Sequence, residues 1–136
     1  MANPGPATTV SAHPQVLGSN QALRLIAVQK GVNFSATGDT VLQVIDSTSY
    51  AISNVIISNP STALSTAAAG LFPSPNGAGT AIVASHTLTV ALNAISQETV
   101  ANPTTIQPGQ NLYYNVATAQ GSGITADVYV YGYDLS

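Results

Sequence analysis

Tyrosines aside, this 136-residue chain carries little ionisable chemistry: two histidines, five carboxylates and two cations. His13 precedes Pro14, and His86 lies in "ASHTLT". A zinc site takes three or four nitrogen, sulfur or oxygen ligands. Two distant histidines and scattered carboxylates offer no such spacing, so no metal site is expected. Cysteine is absent, which removes thiolate ligands, a thiol nucleophile and any disulfide framework. A Ser-His-Asp arrangement is spatial rather than sequential, but only His86 stands outside the N-terminal stretch and there is no G-x-S-x-G. Glycoside chemistry needs two carboxyl groups close together. Asp39 and Asp46 flank one predicted strand and Asp127 and Asp134 another, each pair at odd separation, so all four read as turn or strand-end residues. "GSG" (121–123) and "NGAG" (76–79) lack the following helix and the lysine of a phosphate loop. The expectation is a protein with no catalytic residue, no metal and no cofactor.

Charge is scarce throughout. Arg24 and Lys30 with Asp39, Asp46, Glu98, Asp127 and Asp134 make 5% of the chain, against roughly 25% in ordinary soluble domains. Polarity comes instead from Ser, Thr, Asn and Gln. Such a surface gives up the charge repulsion that keeps free proteins apart, and its neutral groups cost less to desolvate than lysine. It suits a subunit of an assembly, with a secreted domain of neutral surface as the alternative. The net charge is −3, and phosphate binding needs several Lys or Arg to displace counterions, so nucleic acid is not an expected partner. "MANPGPATTV" lacks the basic and apolar regions of a signal peptide. "YAISNVIISNPSTALSTAAAGLF" is too broken by Ser, Asn and Pro to cross a membrane as a helix. The chain reads as made in the cytoplasm without export, with no membrane partner.

The elements that must position these residues are mostly strands. Residues 1–22 hold Pro4, Pro6 and Pro14 without alternation and read as an extended arm. Residues 23–136 read as one β-sandwich domain. "LRLIAV" (23–28) is followed by a turn at Gly31, then "TVLQVI" (40–45) and the β-branched run "YAISNVIIS" (50–58), which stops at Asn59-Pro60. "STALSTAAA" (61–69) has the alanine content of a helical turn. "TAIVASHTLTVALNAI" (80–95) fits a strand better than a helix. A short strand and the turn "QPGQ" lead to "NLYYNVAT" (111–118) and "ITADVYVYGYDL" (124–135), which read as a hairpin bringing Tyr113 or Tyr114 near residues 129–131. Short strands with Gly and Pro turns and almost no helix predict an all-β fold, a jelly-roll-like antiparallel sandwich with an N-terminal arm.

The last strand carries the most pointed pattern. Ala126, Val128, Val130 and Gly132 share one face, and Asp127, Tyr129, Tyr131 and Tyr133 the other. The tyrosines either pack as an outer layer of the core with hydroxyls in water, or form a contact surface. Three tyrosines bury about 450 Å², worth at most about 11 kcal/mol before association entropy is subtracted. Tyr129, Tyr131, Tyr133 and Tyr113, the cations Arg24 and Lys30, and the arm prolines Pro4, Pro6 and Pro14 are the candidate interface residues.

"NLYYNVATAQGSGITADVYVYGYDLS" (111–136) and "VIISNPSTALSTAAAGLFPSPNGAGTAIVA" (55–84) resemble the tailed-bacteriophage capsid decoration, or cement, proteins. The resemblance covers roughly residues 52–136. It implies a jelly-roll-like fold and a role on the outer surface of the virion. There, homodimers or homotrimers bridge capsomers of an HK97-type shell, with the major capsid protein as partner. A neck, tail or fibre-base component and a carbohydrate-binding jelly-roll module are the alternatives.

Overall fold

A computed structural model describes residues 23–108 and 111–135. The described residues form nine strands: β1 (Arg24–Asn33), β2 (Gly38–Gln43), β3 (Ser49–Ser58), β4 (Ala68–Phe72), β5 (Val83–Thr87), β6 (Ile95–Glu98), β7 (Gln107–Pro108), β8 (Asn111–Thr118) and β9 (Thr125–Asp134). A 3₁₀ turn, Pro75–Gly77, sits between β4 and β5. All pairings are antiparallel. One sheet runs β1-β9-β3-β6, with β7 also on β3, and the other runs β2-β8-β4-β5. Two four-strand paths with this interleaving, each crossing between sheets, are those of a jelly roll. The fold class expected from the sequence is the one observed.

The period-two pattern decides which residues enter the core. In β9, Ala126, Val128, Val130 and Gly132 face inward and are buried. In β8, Leu112, Tyr114 and Val116 do the same from the opposite sheet. They meet Ile26, Val32, Leu42, Tyr50, Ile52, Val55 and Ile57 in one contiguous cluster. Phe34 packs edge-on against Tyr114, with ring centroids 5.9 Å apart. The sandwich is closed along one side, where Ala27 of β1 bridges to Val44 and the Ile45 amide donates to the Ile26 carbonyl. The opposite side, between β5 and β6, is more open: the Ala101 amide after β6 donates to the Ile82 carbonyl just before β5, and no strand of one sheet pairs with a strand of the other there among the described residues.

Three local expectations are corrected. First, β8 and β9 do not form a hairpin. The chain crosses from one sheet to the other between them, so β8 pairs with β2 and β4 while β9 pairs with β1 and β3. Both are central strands, and two sets of inward residues facing one core satisfy the alternation better than a shared sheet. Second, Gly31 does not end a strand. It takes φ +69° inside β1, where the register shifts between Gln29 and Val32. A glycine at positive φ is what a bulge of this kind uses. Third, residues 61–69 form no helix: Leu64 bridges to Val90, and β4 begins at Ala68. The amides of Ser65, Thr66 and Ala67 all donate to Oε1 of Gln120, at 2.8–3.0 Å. This distant side chain overrides the helix propensity of the alanines. The expected arm, with Pro4, Pro6 and Pro14, lies outside the described residues, as does Gly109 of the expected "QPGQ" turn.

Candidate functional site

The outer face of the five-stranded sheet follows from its register. Tyr129 stands between Val28 and Ile56, Tyr131 between Leu25 and Asn54, and Tyr133 beside Ala51. Gln97 of β6 lies next to Ile56, and Ile95 next to Ser58. Leu135 continues the odd-numbered row past the strand end, where its amide donates to the Ser49 carbonyl. The tyrosines are therefore not in the core. Tyr129 and Tyr131 are half-buried by these neighbours, and Tyr133 is 40% exposed, alongside exposed Leu23, Leu135 and Ile95. A row of hydroxyls above an aliphatic and aromatic floor can bury apolar area and donate hydrogen bonds in the same contact.

Charge is confined to the margins of this face. Asp127 closes one end, its carboxylate accepting from the Gly31 amide and from Nδ2 of Asn59. Lys30 is exposed next to it, in the bulge of β1. At the other end Arg24 is bound to Asp134 at 3.2 Å and donates to the carbonyls of Ile45 and Asp46. Ser47 adds a hydrogen bond to the same Asp134 carboxylate. Arg24 thus fastens β1, β9 and the loop after β2 together, and its charge is largely spent within the corner.

Tyr113 is not brought to this face. It lies half-buried on the outer face of the four-stranded sheet, between Val41 and Phe72. That face is partly roofed by the chain itself. The loop after β4 folds back so that the Asn76 amide donates to Asp39, which also accepts from Nδ2 of Asn115. The two sheets therefore differ: the loop after β4 is hydrogen-bonded over one outer face, whereas the tyrosine row of the other is half-buried at Tyr129 and Tyr131 and exposed at Tyr133. Sequence reasoning missed Leu25, Val28, Ile56 and Leu135 as members of that face. Alternation along β9 and along β3 beyond its bulge pointed to Leu135 and Ile56, whereas two register shifts in β1 hid Leu25 and Val28.

A second cluster occupies the open side of the sandwich. His86 of β5 reaches across to Glu98 of β6, with Nε2 2.5 Å from Oε1, and Ser96 donates to Oε2 at 2.6 Å. The Glu98 side chain is only 2% exposed, that of His86 48%. His86 Nδ1 faces the carbonyl of Thr87 at 3.0 Å. A carbonyl only accepts, so in that contact Nδ1 is the donor. Ala84, Gln97, Thr99 and Ala101 complete a groove of about 370 Å³ around the pair. Both ring nitrogens of His86 are engaged, and its contact with Glu98 joins β5 of one sheet to β6 of the other. Deeper in, burial pushes the Tyr50 phenol up to about 12. Burial, with a smaller contribution from the Glu98 charge, raises that of Tyr114 further. Neither hydroxyl has a hydrogen-bond partner among the described residues.

Among the described residues no group of three or more His, Cys, Asp or Glu could hold a metal, and no helix is long and apolar enough to cross a membrane. No protein-family model, curated protein or solved structure matches the chain.

Proposed function

We propose that this chain is a structural protein of a virion: a decoration, or cement, protein on the outer surface of an HK97-type capsid. It would bind the major capsid protein and further copies of itself, as a homodimer or homotrimer, without nucleic acid, membrane or cofactor. The observation that carries this reading is the tyrosine face. Its row of Tyr129, Tyr131 and Tyr133 lies among Leu25, Val28, Ile56 and Leu135 with charge only at its margins. Tyrosine-rich patches free of charge at their centre have the composition of interface cores. A chain with 5% charged residues gains little by remaining free in solution, and many weak contacts repeated over a shell sum to a strong one. The sequence resemblance over residues 52–136 points the same way.

The test is the copy number of the chain relative to the major shell protein in purified particles, by quantitative mass spectrometry. A ratio near one to one supports a decoration protein that tiles the shell. A few copies per hundred shell proteins would place it in the neck, tail or fibres and overturn the reading. Tyr131→Ala adds a residue-level check. Its side chain lies outside the core, so the variant should fold and lose particle binding.

A further inference from the structure

We propose that Asn76–Gly77 is a self-modifying site: Asn76 loses its side-chain nitrogen as ammonia to become an acidic residue, and the Asp39 carboxylate restrains the reaction. The inference does not depend on the capsid reading.

The sequence supplies the reacting pair. Of ten asparagines, Asn76 alone precedes a glycine, while Asn3, Asn59 and Asn102 precede prolines, whose nitrogen carries no hydrogen and cannot attack. The backbone nitrogen of Gly77 attacks Cγ of Asn76, a C–N bond forms and ammonia leaves, giving a cyclic succinimide. Water then opens the ring at either carbonyl, leaving an aspartyl or an isoaspartyl link. Water is the only co-reactant. A Cβ on the following residue hinders the approach, and glycine has none. Asn93 provides the comparison within the chain: it is exposed with φ 60°, as Asn76 is, but Ala94 follows it.

The structure supplies the restraint. Asn76 has φ 60° and ψ 32°, whereas attack needs ψ turned to the opposite side of its range, so that the Gly77 nitrogen lies behind Cγ. Two hydrogen bonds oppose that rotation. The Asn76 amide donates to Oδ2 of Asp39 at 2.6 Å, and the Ala78 amide donates to the Pro75 carbonyl at 3.2 Å. Asp39 is itself fixed by Nδ2 of Asn115 at 2.7 Å. Removing the Asp39 carboxylate frees the turn and speeds the reaction.

The product undoes this restraint. A carboxylate at position 76 stands a few bonds from the amide that Asp39 holds, so two like charges repel across the hydrogen bond. An isoaspartyl link also adds a carbon to the main chain inside a turn closed between Ala78 and Pro75. A Cβ on Gly77 would lie 3.9 Å from both Phe72 Cζ and Asn115 Oδ1, so this turn rests on the outer face of the four-stranded sheet. Its release uncovers Phe72 beside Tyr113.

The experiment ages the full chain beside its Asp39→Ala and Asp39→Asn variants in mildly alkaline buffer made with heavy-oxygen water. Peptide mapping by mass spectrometry then follows the incoming oxygen at each asparagine. The expected result is conversion at Asn76 several-fold faster than at Asn93 in the parent chain, and several-fold faster again in Asp39→Ala, with Asn93 unchanged. Asp39→Asn, which keeps a side-chain oxygen as acceptor, should fall between the two. Hydrogen exchange over residues 72–79 should rise in the converted protein and in Asn76→Asp. Asn76 converting no faster than Asn93 in the parent chain, or at the same rate with and without Asp39, would overturn the proposal. So would an acceleration in Asp39→Ala shared equally by Asn93, which would reflect loosening of the whole fold, or unchanged exchange over residues 72–79 after conversion.

Discussion

Tyr50 is fully buried on the inner face of β3, and its hydroxyl has no partner among the described residues. Burial pushes its phenol from the ordinary value near 10 up to about 12. The sign follows from proton binding. Between pH 10 and 12 the unfolded chain releases this proton and the folded chain keeps it, so the unfolded state is favoured as pH rises. The stability is complete below pH 10 and lost progressively up to 12. A two-unit difference corresponds to about 2.7 kcal/mol at full development, and roughly half of that, about 1.4 kcal/mol, is spent by pH 11. Tyr50→Phe removes the group without removing the ring. Urea unfolding of both proteins at pH 8 and pH 11 therefore gives a difference in stability that moves by about 1.4 kcal/mol in favour of the variant. At pH 8 the variant should already be at least as stable as the parent, because it eliminates a buried hydroxyl without a partner. Unfolding free energies whose difference stays constant between the two pH values would refute the argument, since the phenol would then be titrating alike in both states.

Further expectations follow from other features. A Cβ on Gly132 would collide with the Ala51 carbonyl oxygen, and one on Gly70 would lie 2.5 Å from the Val83 carbonyl. Gly132→Ala should cost about 3 kcal/mol or more and lower the melting temperature by over ~10 °C in calorimetry, with Gly70→Ala loosening β5 in hydrogen exchange. His86→Ala leaves the buried Glu98 with one partner fewer and should cost about 1–2 kcal/mol, measured by chemical denaturation; adding Glu98→Gln should recover part of that loss. Gln120→Ala frees three backbone amides at once, so exchange protection at Ser65, Thr66 and Ala67 should fall with a loss of about 1–2 kcal/mol. Gln120→Glu, which offers the same three donors a carboxylate, should restore it above about pH 5.

Much of this fold was legible because β8 and β9 keep strict alternation, which fixes both their extent and the face each buries; β3 alternates only beyond its bulge between Ile52 and Asn54. What alternation cannot convey is which strand lies next to which. "NLYYNVATAQGSGITADVYVYG" has every local mark of a hairpin, with a glycine-rich turn between two alternating runs. The actual partners of these strands are β2 and β4 for one and β1 and β3 for the other. Non-local pairing of this sort leaves no trace in a window of residues. The Ala-rich stretch 61–69 misleads for a related reason: its conformation is set by Gln120, more than fifty residues away. The tyrosine row was visible as a row, and its lack of inward burial follows from the valines opposite it. Its neighbours on β1 were hidden by two bulges, and the His86–Glu98 clasp by the absence of any sequence pattern linking two edge strands in different sheets.

The position of β9 also governs when the fold can exist. It is the last of the nine strands in chain order, yet it fills the slot between β1 and β3 in the middle of the five-stranded sheet. A nascent chain that has emerged only as far as β8 therefore holds β1 and β3 with their facing edges unsatisfied and the valine side of the core missing. Completion must wait for the final strand, and pairing across some hundred residues is slow. Unpaired edges of that kind recruit other chains. Ribosome stalling or proteolytic loss within residues 125–134 should thus yield aggregate rather than a smaller folded protein, and a chain with only 5% charged residues has little charge repulsion to keep such species apart.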